Sequence, residues 1–220
     1  MKIKIVVSNT IITNVNSTKF LGLTTDSSLL WKEHIVDLTS KLSKACYAIR
    51  AIKPFMTLNV LRMVYFSYFH LIMSHGIIFL GNSHLSSNIF KLQKRIRIIT
   101  DKSKRDSCRH LYKQLQILTL PSQYIFSLLV YVAKNRDLFL SNSEIHDINT
   151  RNNYNLHLPT TNLTLVQKGV LSSGSKIYNH LPFHIKTLSN DLKHFKSKLK
   201  RFLIEHILYS LEEFYQVTSK

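Results

Sequence analysis

Acidic side chains are scarce: 12 Asp and Glu stand against 30 Lys and Arg, which leaves a formal charge of +18. So large an imbalance is costly to hold compact unless a polyanion or an anionic membrane lies close by, and nucleic acid is the leading candidate partner. Glycine is scarce too, with five residues in all, too few for several phosphate-cradling loops. None of the patterns GxxxxGK[ST], GxGxxG or GxSxG occurs. The two cysteines, Cys46 and Cys108, form no CxxC, which excludes a disulfide framework and a cysteine-rich zinc site and makes a reducing compartment the default. A long uninterrupted apolar run is also missing. Residues 60–81 come closest, but Arg62, His70 and His75 break the run, so it reads as buried helix rather than a membrane span. The opening MKIKIVVSNTIITN alternates and lacks a small-residue cleavage site, so no secretory signal is expected. The expected setting is intracellular, in cytoplasm or nucleus, with no membrane partner and no small-molecule substrate.

What the chain does have is apolar material: 45% hydrophobic residues, including 12 Phe and 10 Tyr, is far too rich for a disordered polymer. At 220 residues it can bury one good core or two small ones. Residues 2–25 alternate through Ile3, Ile5 and Val7, then Ile11 and Ile12, then Phe20, Leu21 and Leu23, with Ser8-Asn9 and Asn14-Val15-Asn16 as breaks, which predicts two or three short strands. From Asp26 the period becomes helical. Ile35, Leu38, Leu42, Ala45, Ile49 and Ile52 mark one face, and Pro54 ends it. Further helices are predicted over 58–75, with Thr57 as N-cap, then over 83–100, 109–115, 122–135, 167–178 and 192–209. The Asn- and Thr-rich stretch 142–163 reads as a long loop.

No reactive centre is evident. Two-metal chemistry needs carboxylates that converge, and here they are scattered; the only acidic doublet, Glu212-Glu213, reads as a solvated helix face. Eleven histidines include no HExxH, and Pro182 breaks the helical face that His180 and His184 would need. His70 and His75 read as hydrogen-bonded core or interface residues. Cys46 reads as core filler, and Cys108, beside Arg109, lies in a basic context that could lower a thiol pKa.

Charge placement is the informative feature. Lys91, Lys94, Arg95, Arg97, Lys102, Lys104, Arg105 and Arg109 face only Asp101 and Asp106 within their stretch. Lys193, Lys196, Lys198, Lys200 and Arg201 form a second cluster with no acid among them. A charge run is usually a solvated face. Two dense clusters in so basic a chain suggest phosphate contacts, which counterion release favours whatever the base sequence.

Six stretches in order, KFLGLTTDSSLLWKEHI, SHGIIFLGNS, IFKLQKRIRIIT, SCRHLYKQLQILTLPSQYIF, TRNNYNLHLP and YNHLP with the basic helix ending in FKSKLKRFL, cover almost the whole chain. Together they resemble the C-terminal part of reverse transcriptases from non-long-terminal-repeat (LINE-type, jockey-like) retrotransposons. The resemblance implies that Phe20, Leu21 and Gly22 form a primer-grip-like hairpin at the edge of a palm and that the following helices form a thumb closing on a primer-template duplex of RNA and DNA. Trp31 would pack the hairpin against the first thumb helix. The fold it implies is mainly α with a small N-terminal antiparallel β-hairpin or sheet, an α+β chain built on a helical thumb-like bundle. Its parts would be residual palm-edge strands (1–25), the thumb-like domain (26–141), a linker (142–164) and a basic C-terminal helical region (165–220). The family's aromatic-Ala-Asp-Asp motif and earlier catalytic Asp do not occur, and Leu80 stands where the family commonly has Trp. The expectation is therefore a reverse-transcriptase fragment that begins after the active site, with no catalytic residues, metal ligands or cofactor of its own. Mg²⁺ would belong to a palm, and a palm-containing segment is an expected partner. The other readings are a stand-alone basic RNA- or DNA-binding module, or a retroelement relic whose strand edges are a liability.

Overall fold

Short strands at the N-terminal side form two hairpins, in a computed structural model that describes residues 5–7, 10–12, 15–99, 107–145, 154–158 and 160–219. Strand β1 (Ile5–Val7) pairs antiparallel with β2 (Thr10–Ile12), and β3 (Ser17–Phe20) pairs antiparallel with β4 (Leu23–Asp26). Phe20 lies opposite Leu23, so only Leu21 and Gly22 make the turn, at φ 47° and 81°. Two successive positive φ angles are what a two-residue hairpin loop requires to match strand twist; Gly22 adopts one without cost, and Leu21 adopts the other with some strain.

Asp26 converts the strand into a helix. Its carboxylate accepts from the Ser28 amide and hydroxyl, the Leu30 amide and the Lys32 amide, holding the chain in a tight bend. Partial burial acts against the charge, but these hydrogen bonds hold the Asp26 carboxyl below its ordinary value. Trp31 follows at φ 62° and is half-buried. It stacks on Phe79 with ring centroids 5.8 Å apart, which ties the bend to a later helix.

Helix α1 (Lys32–Ile52) buries the face read from its spacing, with Ile35, Leu38, Leu42, Ala45, Cys46 and Ile49 all inside. Pro54 converts the chain to a 3₁₀ turn, Lys53–Phe55. Then α2 (Leu58–Val64) passes through a π segment, Tyr65–His70, into α3 (Leu71–Ser74). Thr57 stands at the N-cap position of α2 with no side-chain cap bond. The π segment carries stacked rings: Tyr65 lies on Phe69 at 5.2 Å and Phe66 meets His70 edge-on at 5.2 Å. Next come α4 (Ile77–Leu80) and α5 (Ser86–Gln93). The helix expected over 83–100 tightens at Lys94–Ile98 into 3₁₀ geometry.

Helix α6 (Arg109–Gln114) leads to α7 (Leu120–Lys134), the centre of the molecule. Leu120, Tyr124, Ile125, Leu128, Leu129 and Val132 are buried on it, so apolar residues wrap most of its circumference and other helices surround it. Its first turn is closed chemically: Thr119 accepts the Ser122 amide, and the fully buried Gln93 accepts the Leu120 amide at 2.7 Å. The Gln93 amide nitrogen also donates to the Leu118 carbonyl and the Tyr65 hydroxyl. A close approach decides Gly81 as well, because a Cβ there would lie 2.3 Å from the Tyr124 ring.

A 3₁₀ turn (Arg136–Leu138), α8 (Asn142–Ile145) and α9 (Thr164–Gln167) precede α10 (Val170–Asn179), α11 (Phe183–Lys186), α12 (Leu192–His206) and α13 (Leu211–Thr218). The expected helix over 192–209 ends at His206, and α13 follows with its own cap, Ser210 accepting the Glu213 amide. Both α10 and α12 pack on α7. One hydrophobic cluster therefore runs from Ile35 on α1 to Phe214 on α13, on both sides of residues 142–164. The chain is mainly helical with a small antiparallel β portion at its N-terminal side. Among the described residues no helix is long and apolar enough to cross a membrane.

Candidate nucleic-acid interface

The hairpin tip is presented outward, with Phe20 70% and Leu21 76% exposed. Its base is seated on the helices. The His75 Nε2 lies 3.1 Å from the Leu21 carbonyl and so donates to it, while Leu23 fills the space above Gly76, where a Cβ would come within 2.5 Å of it. His75 is thus an exposed hydrogen-bonding residue, whereas His70 is half-buried with its Nδ1 unpartnered among the described residues.

The first basic cluster divides. Lys94 Nζ sits 4.5 Å from the Phe90 ring centroid and 4.9 Å from that of Tyr209. The Arg109 guanidinium lies 4.2 Å from the centroid of the same Tyr209 ring, donates to the Ile207 carbonyl at 2.7 Å, and pairs with Glu213 at 2.6 Å. Glu213 in turn accepts the Tyr209 amide. Burial raises the Glu213 carboxyl, but Arg109 and the Tyr209 amide outweigh it and hold the group below its ordinary value. One half of the acidic doublet is therefore a tie between distant segments and not a solvated face. Arg97 is half-buried, its Nε donating to the Lys94 carbonyl. Lys94, Arg97 and Arg109 are thus engaged within the protein, and Lys102, Lys104 and Arg105 lie outside the described residues.

Lys91 and Arg95 remain exposed. They border a groove of about 760 Å³ between α1 and α5, with Lys32 on the opposite side. Ile35 and Leu92 line it, together with the polar side chains of Thr39, Ser40, Ser43 and Asn88. Three cations around a trough with hydroxyl and amide donors can hold a phosphodiester backbone, the cations supplying attraction and the neutral donors fixing oxygens. Lys32 and Asn88 are additions to the residues named from the sequence, which carried no signal for them because each lies apart from a basic run.

The second cluster stays outward. On α12, Lys193, Lys196 and Lys200 are spaced three and four residues apart and so share one side of the helix; Lys193 and Lys200 are exposed and Lys196 half-buried. Lys198 and Arg201 lie on another side, and Arg201 pairs with Glu205 at 3.1 Å. The His70 imidazole is pushed below its ordinary pKa by burial and then by the charge of Lys200.

Cys108 is buried with its thiol donating to the Lys94 carbonyl, and Cys46 is buried too, with its thiol raised above its ordinary value by that burial. His180 Nδ1 donates to the Lys176 carbonyl, and its ring meets that of Tyr215 edge-on, 4.7 Å away. Among the described residues no three His, Cys, Asp or Glu side chains come together as a metal site. No family model, no curated protein and no solved structure matches this chain.

Proposed function

We propose that this chain binds nucleic acid through its sugar-phosphate backbone, as the thumb region of non-long-terminal-repeat reverse transcriptases does, with the helical body lying along a primer-template duplex. The observation that carries the reading is the placement of cations that no carboxylate pairs among the described residues: Lys193, Lys196 and Lys200 on one helix and Lys32, Lys91 and Arg95 around one groove, in a chain of +18. Among the described residues the ion pairs are Arg109–Glu213, His194–Asp191 and Arg201–Glu205, which leave those six untouched. The hairpin tip would approach the primer strand through the exposed Phe20 and Leu21. Among the described residues the carboxylates do not converge, and on this reading the chain would bind without polymerising. A stand-alone RNA- or DNA-binding module is the second reading, favoured by the single hydrophobic cluster that joins α1 to α13.

Fluorescence anisotropy of the full chain with an RNA–DNA primer-template duplex across a salt series tests the proposal. Backbone binding gives an affinity that falls steeply with salt, at a slope of about 0.9 per contacted phosphate on B-form DNA. Affinity that ignores salt, or that survives intact when Lys32, Lys91 and Arg95 become Ala, rules the groove out as the contact surface.

A further inference from the structure

The β3–β4 hairpin is held to the helical body by two imidazoles with opposite hydrogen-bonding roles. At its tip, His75 Nε2 donates to the Leu21 carbonyl. At its second strand, the Thr24 amide donates to His34 Nδ1 at 3.2 Å. His34 is 6% exposed, and a lone pair on Nδ1 requires it to be neutral with its proton on Nε2, an atom buried without a partner among the described residues. The two contacts respond differently to a proton. Protonated His75 still donates. Protonated His34 has no lone pair left, and its new N–H would point at the Thr24 N–H.

We propose that His34 and His75 form a pH-sensitive latch: the hairpin is docked while His34 is neutral and is released when His34 takes up a proton at Nδ1. The proton comes from solvent, and the Thr24 amide exchanges its imidazole acceptor for water. Charges facing His34 make its protonated form unfavourable in the docked hairpin, since His75 on the adjoining corner and Lys41 on α1 repel a second cation, against the attraction of Asp37 on α1. On the hairpin itself, Lys19 lies opposite Thr24 in the strand register, and Asp26 is already bonded to Ser28, Leu30 and Lys32. Burial first, then His75 and Lys41, lower the His34 pKa from the ordinary 6.5. A depressed imidazole pKa means that docking is at full strength above about 6.5, weakens as pH falls below it, and levels off once the docked pKa is passed. Gly22 and Gly76 make the seat close enough for this to matter, with His75 3.2 Å from a Cβ at the first and Leu23 2.5 Å from a Cβ at the second. The latch does not depend on the nucleic-acid reading.

The test is the hydrogen-exchange protection factor of the Thr24 amide in the full chain between pH 7.5 and 5, for wild type and His34→Asn, whose side-chain oxygen replaces Nδ1 as acceptor and does not titrate. Wild-type protection should fall by up to about tenfold per pH unit below 6.5, the limit for one proton, and His34→Asn should be flat. An unchanged wild type, or a variant that responds like the wild type, overturns the latch. If His34→Asn does not fold, imidazole ¹⁵N spectra of the wild type decide. Protonation of His34 Nδ1 in step with the loss of Thr24 protection supports the latch, and protonation without that loss, or a His34 that stays neutral throughout, refutes it.

Discussion

Two segments of this chain look alike as strings of Lys and Arg and meet opposite fates. On the 3₁₀ turn at 94–98 and on α6, Lys94 and Arg109 point their charges at the rings of Phe90 and Tyr209, and Arg109 adds a carbonyl and a carboxylate. On α12, Lys193, Lys196 and Lys200 line one side of a helix, and among the described residues no ring or acid holds them. The difference is one of neighbours. A cation becomes structural where the fold brings an aromatic face or a carbonyl to it, and remains available for a ligand where the fold leaves it facing solvent. Lys94 and Arg109, grouped with the phosphate-binding candidates by sequence density, belong with the cations that hold the C-terminal segment in place.

Replacing Lys193, Lys196 and Lys200 together by Ala should give the largest effect. Duplex affinity should drop about a hundredfold at 0.1 M salt, and the salt slope should shrink by about 3. The melting temperature should stay where it is, as checked by anisotropy and thermal unfolding in parallel. Arg109→Ala should do the reverse. It strands the Ile207 carbonyl and Glu213 and removes a cation from the Tyr209 face, so we expect a loss of about 2 kcal/mol in urea unfolding with an unchanged salt slope. Lys94→Ala should cost less, about 1 kcal/mol, because ring contacts alone hold it. A salt slope that falls in either single variant would erase the contrast between the two segments. The smallest effect is the acid response of Glu213. Its depressed pKa contributes stability that is present above its ordinary 4.5 and is lost as pH falls through the folded value. Glu213→Gln should therefore flatten the stability curve below about pH 4.5 and leave its shape at pH 7 unaltered.

Local pattern made much of the fold legible. The spacing of Ile35, Leu38, Leu42 and Ile49 announced α1 and its buried face, and Pro54 its end, because a period of 3.6 and a missing amide act within one helix. The turn at Leu21-Gly22 was not among the breaks read from the pattern, which fell at Ser8-Asn9 and Asn14-Val15-Asn16; a hairpin over Phe20, Leu21 and Gly22 was implied by the resemblance. The π segment was not legible: an extra residue in one turn depends on how Tyr65 and Phe69 pack against Gln93 and α1, and no periodicity records that. Helix α13 could have been found from Ser210-Leu-Glu-Glu213, a serine followed three residues later by glutamate, yet the doublet reads as charge until Arg109 is brought from 104 positions away. Gln93 is the same case. A polar residue in a basic stretch gives no sign that it will be fully buried and bonded to Tyr65, Leu118 and Leu120.

Composition and local spacing by themselves determined that this protein folds, that it is mainly helical with a small β portion at one end, and that it carries a strong positive charge, since these follow from counts and from contacts a few residues long. Only the tertiary structure decided which cations are spent on rings and carbonyls and which face outward, and that the hairpin rests on a neutral His34. Those outcomes are fixed by pairs far apart in the chain, such as Arg109 with Glu213, whose meeting is a property of the packed core and not of any one segment.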